Sequence, residues 1–124
     1  MRREEYSIGE LTYSNLKPAA TGSVTQATSR STGVTVNAIA GTITTDATSL
    51  AAGAEATFTV TNNKVKAGSV VVVSLQTPSA TGFSVPAVTT TAAGSFNITL
   101  SNLHAATADT SASVINFAVI NGNV

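Results

Sequence analysis

The sequence predicts an all-β chain: a single antiparallel β-sandwich of jelly-roll or Ig-like type with an extended N-terminal arm. Three observations point there. Roughly one residue in six is Thr, and Thr, Val and Ile dominate over Lys, Glu and Leu. Such β-branched side chains are stiff at χ1 and favour strands over helices. Several segments alternate apolar and polar residues with period two. Turn-forming clusters of Gly, Asn, Ser and Pro divide the chain into seven or eight short runs, the spacing of a sandwich. Periodicity does not separate the two topologies. Residues 1–20 read as the arm and residues 21–124 as the sandwich.

Taken in order, "KPAATGSVTQATSRSTG" is a linker, or a linker with a short strand at Val24 to Thr28. In "GVTVNAI", Val34, Val36 and Ala38 share a face, Gly41 then breaks the run, and "TITTD" resumes at Ile43. A loop at Ala51 to Glu55 leads into a strand with Ala56, Phe58 and Val60 inward and Thr57, Thr59 and Thr61 outward. "NNKVKAG" is a turn. "SVVVVSLQ" is apolar on both faces, so its second face needs cover from a loop, the arm or another copy of the chain; uncovered, such a run is an aggregation hazard. "TGFSVPAV" alternates until Pro86, and since proline cannot donate to a ladder that strand is expected at an edge or bulged. "GSFNITLSNL" places Phe96, Ile98 and Leu100 inward. "SVINFAVI" closes the body with Ile115, Phe117 and Val119 on one side and Val114, Ala118 and Ile120 on the other.

Composition bounds the function. A chain of 124 residues fits one domain. Its formal charge is zero and 10% of its residues are charged, against about 25% in ordinary soluble domains. No basic patch suggests nucleic acid and no polybasic run suggests a membrane surface. No run reaches the about eighteen apolar residues of a bilayer span, and Arg2-Arg3 is not followed by the apolar stretch of a twin-arginine signal. The absence of Cys rules out disulfides and thiolate metal sites. With no Trp, four phenylalanines, Phe58, Phe83, Phe96 and Phe117, are expected to anchor the core.

Catalytic chemistry is hard to find. His104 is the one histidine, in a loop, and reads as a solvated side chain. Asp46, Glu55 and Asp109 are far apart in sequence; Asp46 and Asp109 sit among Thr and Ser, where Asx turns or a surface calcium site are the readings. Ser14 to Lys17 matches Ser-x-x-Lys, but the accompanying motifs are missing and Pro18 disfavours helix at Lys17. Asn97-Ile98-Thr99 is a formal glycosylation sequon inside an expected strand. No catalytic residues, metal or cofactor are expected, and the chain reads as a non-enzyme.

The opening "MRREEYSIGELTYSNLK" is different material. It holds half of all Lys, Arg, Asp and Glu side chains and both tyrosines. Tyr and Arg are enriched in interfaces. Ordering seventeen residues costs roughly 17–34 kcal/mol, while burying about 1,000 Å² of apolar surface contributes at most about 25 kcal/mol. Such a segment is expected to order on a partner. Its candidate contact residues are Arg2, Arg3, Tyr6, Ile8, Leu11 and Tyr13.

Together, "STGVTVNAIAGTITTDATSLAAGAEATFTVTN", "SVVVVSLQ", "SFNITL" and "VINFAVING" resemble the small Thr/Ala-rich β-sandwich proteins of tailed-phage virions, among them capsid decoration, or cement, proteins. The resemblance is one of texture and strand order over Ser31 to Val124. It implies a structural protein on the outer capsid surface of a virion, bridging neighbouring major capsid protein subunits through its arm. It also implies a homo-oligomer, a trimer ahead of a dimer, with neither nucleic acid nor membrane as partner. Related β-modules occur in fibres and head spikes, so the rival expectation is a module that binds host glycans. The shortage of exposed aromatic platforms in the body counts against it.

Overall fold

A computed structural model of the chain describes residues 21–80 and 83–122. Among the described residues there are eight strands and no helix: β1 (Thr21–Thr25), β2 (Val34–Thr35), β3 (Ala40–Thr44), β4 (Glu55–Thr61), β5 (Val70–Thr77), β6 (Ser84–Ala92), β7 (Ser95–Asn102) and β8 (Val114–Ile120). They form two four-stranded sheets, sheet A in the order β1-β3-β8-β5 and sheet B in the order β2-β4-β7-β6. The long neighbours pair antiparallel. Each sheet adds one parallel edge pair, β1 with β3 and β2 with β4.

The two sheets face each other across one core. Sheet A supplies Ile43, Ile115, Phe117 and Val119, and sheet B supplies Phe58, Val60, Phe96, Ile98 and Leu100, all buried. Phe96 and Phe117 meet between the sheets with ring centroids 6.0 Å apart and planes tilted by 48°. That tilt suits aromatic quadrupoles better than a face-to-face stack. The period-two reading of these strands holds, as does the inward set Val34, Val36 and Ala38.

Buried amides close the loops onto this core. The Asn62 side chain donates to the Ala38 carbonyl at 2.6 Å and accepts from Lys64 N–H. Asn102 donates to the carbonyls of Leu50 and Thr107 and accepts from His104 N–H. Gln26 donates to the carbonyls of Arg30 and Thr32 and accepts from Asp46 N–H. Each amide thus meets both its donor and its acceptor needs out of water, as a buried polar group must.

Three local expectations are corrected, and the edge position expected of the proline-bearing strand is met. Gly41 does not break a strand; it lies inside β3, opposite Gly22 of β1 and Phe117 of β8. A Cβ at Gly41 would stand 1.9 Å from the Gly22 carbonyl oxygen, so the glycine marks a close approach of two backbones. The first strand is Thr21–Thr25 rather than Val24 to Thr28: Gln26 N–H makes the last bond to β3, at the Thr44 carbonyl, and the Gln26 side chain then braces the loop that follows. β6 runs on through Pro86 to Ala92. It lies at the edge of sheet B, as the proline demands, and its register slips between Val88 and Thr90. Finally, Phe83 is not a core residue: it is 41% exposed. Ser84 takes the inward position beside it and is fully buried.

Candidate functional site

The most concentrated chemistry in the described residues is a buried ion pair at one end of the sandwich. Arg30, from the β1–β2 loop, is 3% exposed and Asp109, from the β7–β8 loop, is fully buried. Arg30 Nη2 lies 3.8 Å from Asp109 Oδ1. The same nitrogen donates to the carbonyls of Asp109 at 3.2 Å and Ser111 at 2.9 Å, and Nε donates to the Thr48 carbonyl. Arg30 Nη1 is buried without a hydrogen-bond partner. Asp109 in turn accepts from the Ser84 hydroxyl and from Ser111 N–H, while its backbone bridges Leu50. One guanidinium therefore ties together three loops.

This arrangement is structural. Burial pushes the Asp109 carboxyl up, but hydrogen bonds from Ser84, Ser79 and Ser111 and the charge of Arg30 outweigh it and hold the group below the ordinary carboxylate range. A carboxylate so fully engaged and closed to solvent is not placed to act on a substrate. Asp46 forms the expected Asx turn, accepting from Thr48 N–H at 2.9 Å. The Thr48 hydroxyl, then its N–H, hold the Asp46 carboxyl below its usual range. Glu55 is exposed on β4. Among the described residues no three His, Cys, Asp or Glu side chains converge on a metal position.

His104 is more than a solvated side chain. Its Nδ1 accepts from the N–H groups of Ala106 and Thr107 at 3.0 and 2.8 Å, capping the loop after β7. Its ring packs on Phe83, with centroids 4.3 Å apart. With Leu103, 67% exposed, these residues make a small apolar corner. Asn97 lies in β7, as expected, where its side-chain oxygen accepts from the Thr59 hydroxyl at 2.9 Å.

The two outer faces of the sandwich are unlike. Sheet B presents mainly hydroxyls and amides, with Val85 exposed at its β6 edge: Thr57 and Thr99 share a hydrogen bond at 2.7 Å, Thr59 binds Asn97, and Thr89 lies 3.3 Å from Thr99. Sheet A presents Val70, Val72 and Ile120, which are 55%, 48% and 52% exposed. Val70 pairs with Ile120 and Val72 with Ala118, so these side chains form one continuous apolar strip over β5 and β8. "VVVV" is thus half answered: Val71 and Val73 pack on the core, while no described loop covers Val70 and Val72. Towards β1 the face is lined with small side chains and hollowed. One hollow of about 550 Å³ is bounded by β1, β3 and β8, and an adjoining one of about 210 Å³ by β8 and β5.

Charge is divided between the two ends. Lys64 and Lys66 sit in the β4–β5 turn, which Asn121 fastens to the end of β8. Asp46, Glu55 and Asp109 lie towards the opposite end, where β3 finishes and β4 begins. The arm candidates Arg2, Arg3, Tyr6, Ile8, Leu11 and Tyr13 all lie outside the described residues. Sequence reading missed Arg30; the available signal was a lone arginine in a body otherwise nearly free of charge. It also missed the asymmetry of the faces, because alternation alone does not say which sheet a strand joins. No family model, curated protein or solved structure matches this chain.

Proposed function

We propose that the chain is a structural virion protein that binds the outer surface of a tailed-phage capsid and cements neighbouring major capsid subunits. The observation that carries this reading is the two-faced sandwich. A protein that coats a lattice needs one face suited to water and one suited to a neighbour. Sheet B is clad in mutually bonded hydroxyls, and sheet A carries the uncharged strip Val70, Val72 and Ile120. Exposed contiguous apolar surface of that kind marks interaction sites. The arm, with Arg2, Arg3, Tyr6, Ile8, Leu11 and Tyr13, adds a second grip. Many copies, each bound weakly, stabilise a lattice together because every contact favours the assembled state. Self-association into a trimer or dimer on the particle would multiply those contacts.

The test is deletion of residues 1–17, followed by binding to expanded and unexpanded empty heads of the phage that encodes the chain. Intact protein should bind expanded heads, and the truncated protein should fold normally yet lose most of that binding. Failure of the intact chain to bind either head would sink the proposal, and unchanged binding of the truncated chain would remove the arm from the contact and leave sheet A as the grip. A glycan-array hit by the sandwich alone would favour the recognition-module reading instead.

A further inference from the structure

We propose that the N-terminal segment docks on its own molecule, with the Tyr6–Tyr13 stretch lying in the trough across the outer face of sheet A and covering the strip of Val70, Val72 and Ile120. Four observations converge on this occupant.

The first is where the segment joins the sandwich. Thr21, the first residue of β1, pairs with Ala40, Ala40 with Ala118, and Ala118 with Val72, in one row across sheet A. Strands lie about 4.8 Å apart, so the strip is about 14 Å from the point of entry. The eight residues from Tyr13 to Thr21 span up to about 26 Å when extended, which is ample. The second is shape. The two hollows share Asn116 and Phe117 and run from Thr21 at one edge to Val72 at the other. Ala40 and Ala118 lie on this face, too short to fill the trough.

The third is chemistry. Tyr6, Ile8, Leu11 and Tyr13 supply apolar side chains for a strip that offers no charge and no long polar group. The fourth is charge. Lys64 and Lys66, both exposed, stand at the end where the strip lies, and the one charged residue of the Tyr6–Tyr13 stretch is Glu10. Tethering makes the contact intramolecular, so it forms with an affinity that a separate peptide would not need to reach. Cover for "VVVV" then comes from the same chain, and any partner that takes the segment must first compete it off. This inference stands independently of the capsid reading and is tested on the isolated chain.

Both tyrosines lie in residues 1–20 and the chain has no Trp, so tyrosine fluorescence reports on this segment alone. Acrylamide quenching is measured for the full chain, for Val72→Asp, for the double variant Lys64→Glu/Lys66→Glu, and for a synthetic peptide of residues 1–17. A segment docked at least half the time is quenched about twofold less than the peptide. Val72→Asp should restore peptide-like quenching with unchanged far-ultraviolet circular dichroism, because Val72 points outward. The double lysine variant should fall between the two and serves as the check should Val72→Asp disturb the fold. Protection should be constant over about a hundredfold range of protein concentration, since an intramolecular contact has no concentration dependence. Peptide-like quenching of the full chain would overturn the proposal, as would protection that survives both variants. Protection that grows with concentration would also overturn it, assigning the strip to a second copy.

Discussion

Arg30 and Asp109 show how a nearly uncharged body uses the few charges it has. Removing one partner of a buried pair leaves the other charge without compensation, which typically costs about 3–5 kcal/mol. Arg30→Met should therefore lower stability by about that amount in urea denaturation, with little change in m-value. Because the Asp109 carboxyl is held below its ordinary range, the folded chain takes up that proton less readily than the unfolded chain. Its contribution is complete above the unfolded value of about 3.9 and is lost as pH falls through the lower folded one. Melting temperature followed by circular dichroism should fall as pH drops below about 4. Asp109→Asn should start lower at neutral pH and fall less steeply. None of this network was legible in the sequence, where Arg30 and Asp109 are 79 residues apart. Asp46 was legible, because an Asx turn is made by near neighbours. Phe83 was misplaced for a related reason: the Ser84 hydroxyl, bonded to Asp109, sets which residue of the pair points inward.

Strands were far more readable than loops. Alternation identified the inward faces of β4 and β7, but could not choose between the two apolar faces of β8, where Ile115, Phe117 and Val119 turn out to be the buried set. It could not assign Val70 and Val72, since a run of four valines carries no period. The edges of the sheets explain the rest. β6 is blunted by Pro86 and a register slip, and β2 is only two residues long. β5 is an eight-residue edge strand with neither Pro nor Lys, the kind of edge that invites pairing with other chains. Truncating a fully buried partner in the middle of sheet B, Ile98→Ala, should cost about 2–5 kcal/mol. The outward Val72→Ala should stay within about 0.5 kcal/mol. Comparative denaturation of the two variants measures that contrast. At Gly41 the close approach of β1 forbids even a methyl group. Gly41→Ala should lose about 1–3 kcal/mol in the same assay, more if the β1–β3 pairing parts.

The described residues form a sandwich with one face rich in hydroxyls and one that carries an apolar strip, preceded in sequence by a charged and aromatic segment. The hydroxyl face was visible in the sequence as outward Thr57, Thr59 and Thr61. The apolar face was visible only as an unsolved need for cover, since which strands join sheet A is a matter of topology. Deleting residues 1–20 should leave the strip bare and raise aggregation in light scattering, and adding Val72→Lys to that deletion should suppress it by placing a charge on the exposed edge strand. The central claim is that sheet A is the docking face. The most direct measurement is a density map of an expanded phage head coated with the chain, fine enough to tell the two sheets apart. The account predicts sheet A and the N-terminal segment turned to the shell, with the threonine face of sheet B outward. Sheet B against the shell, with Val70, Val72 and Ile120 open to solvent, would contradict it.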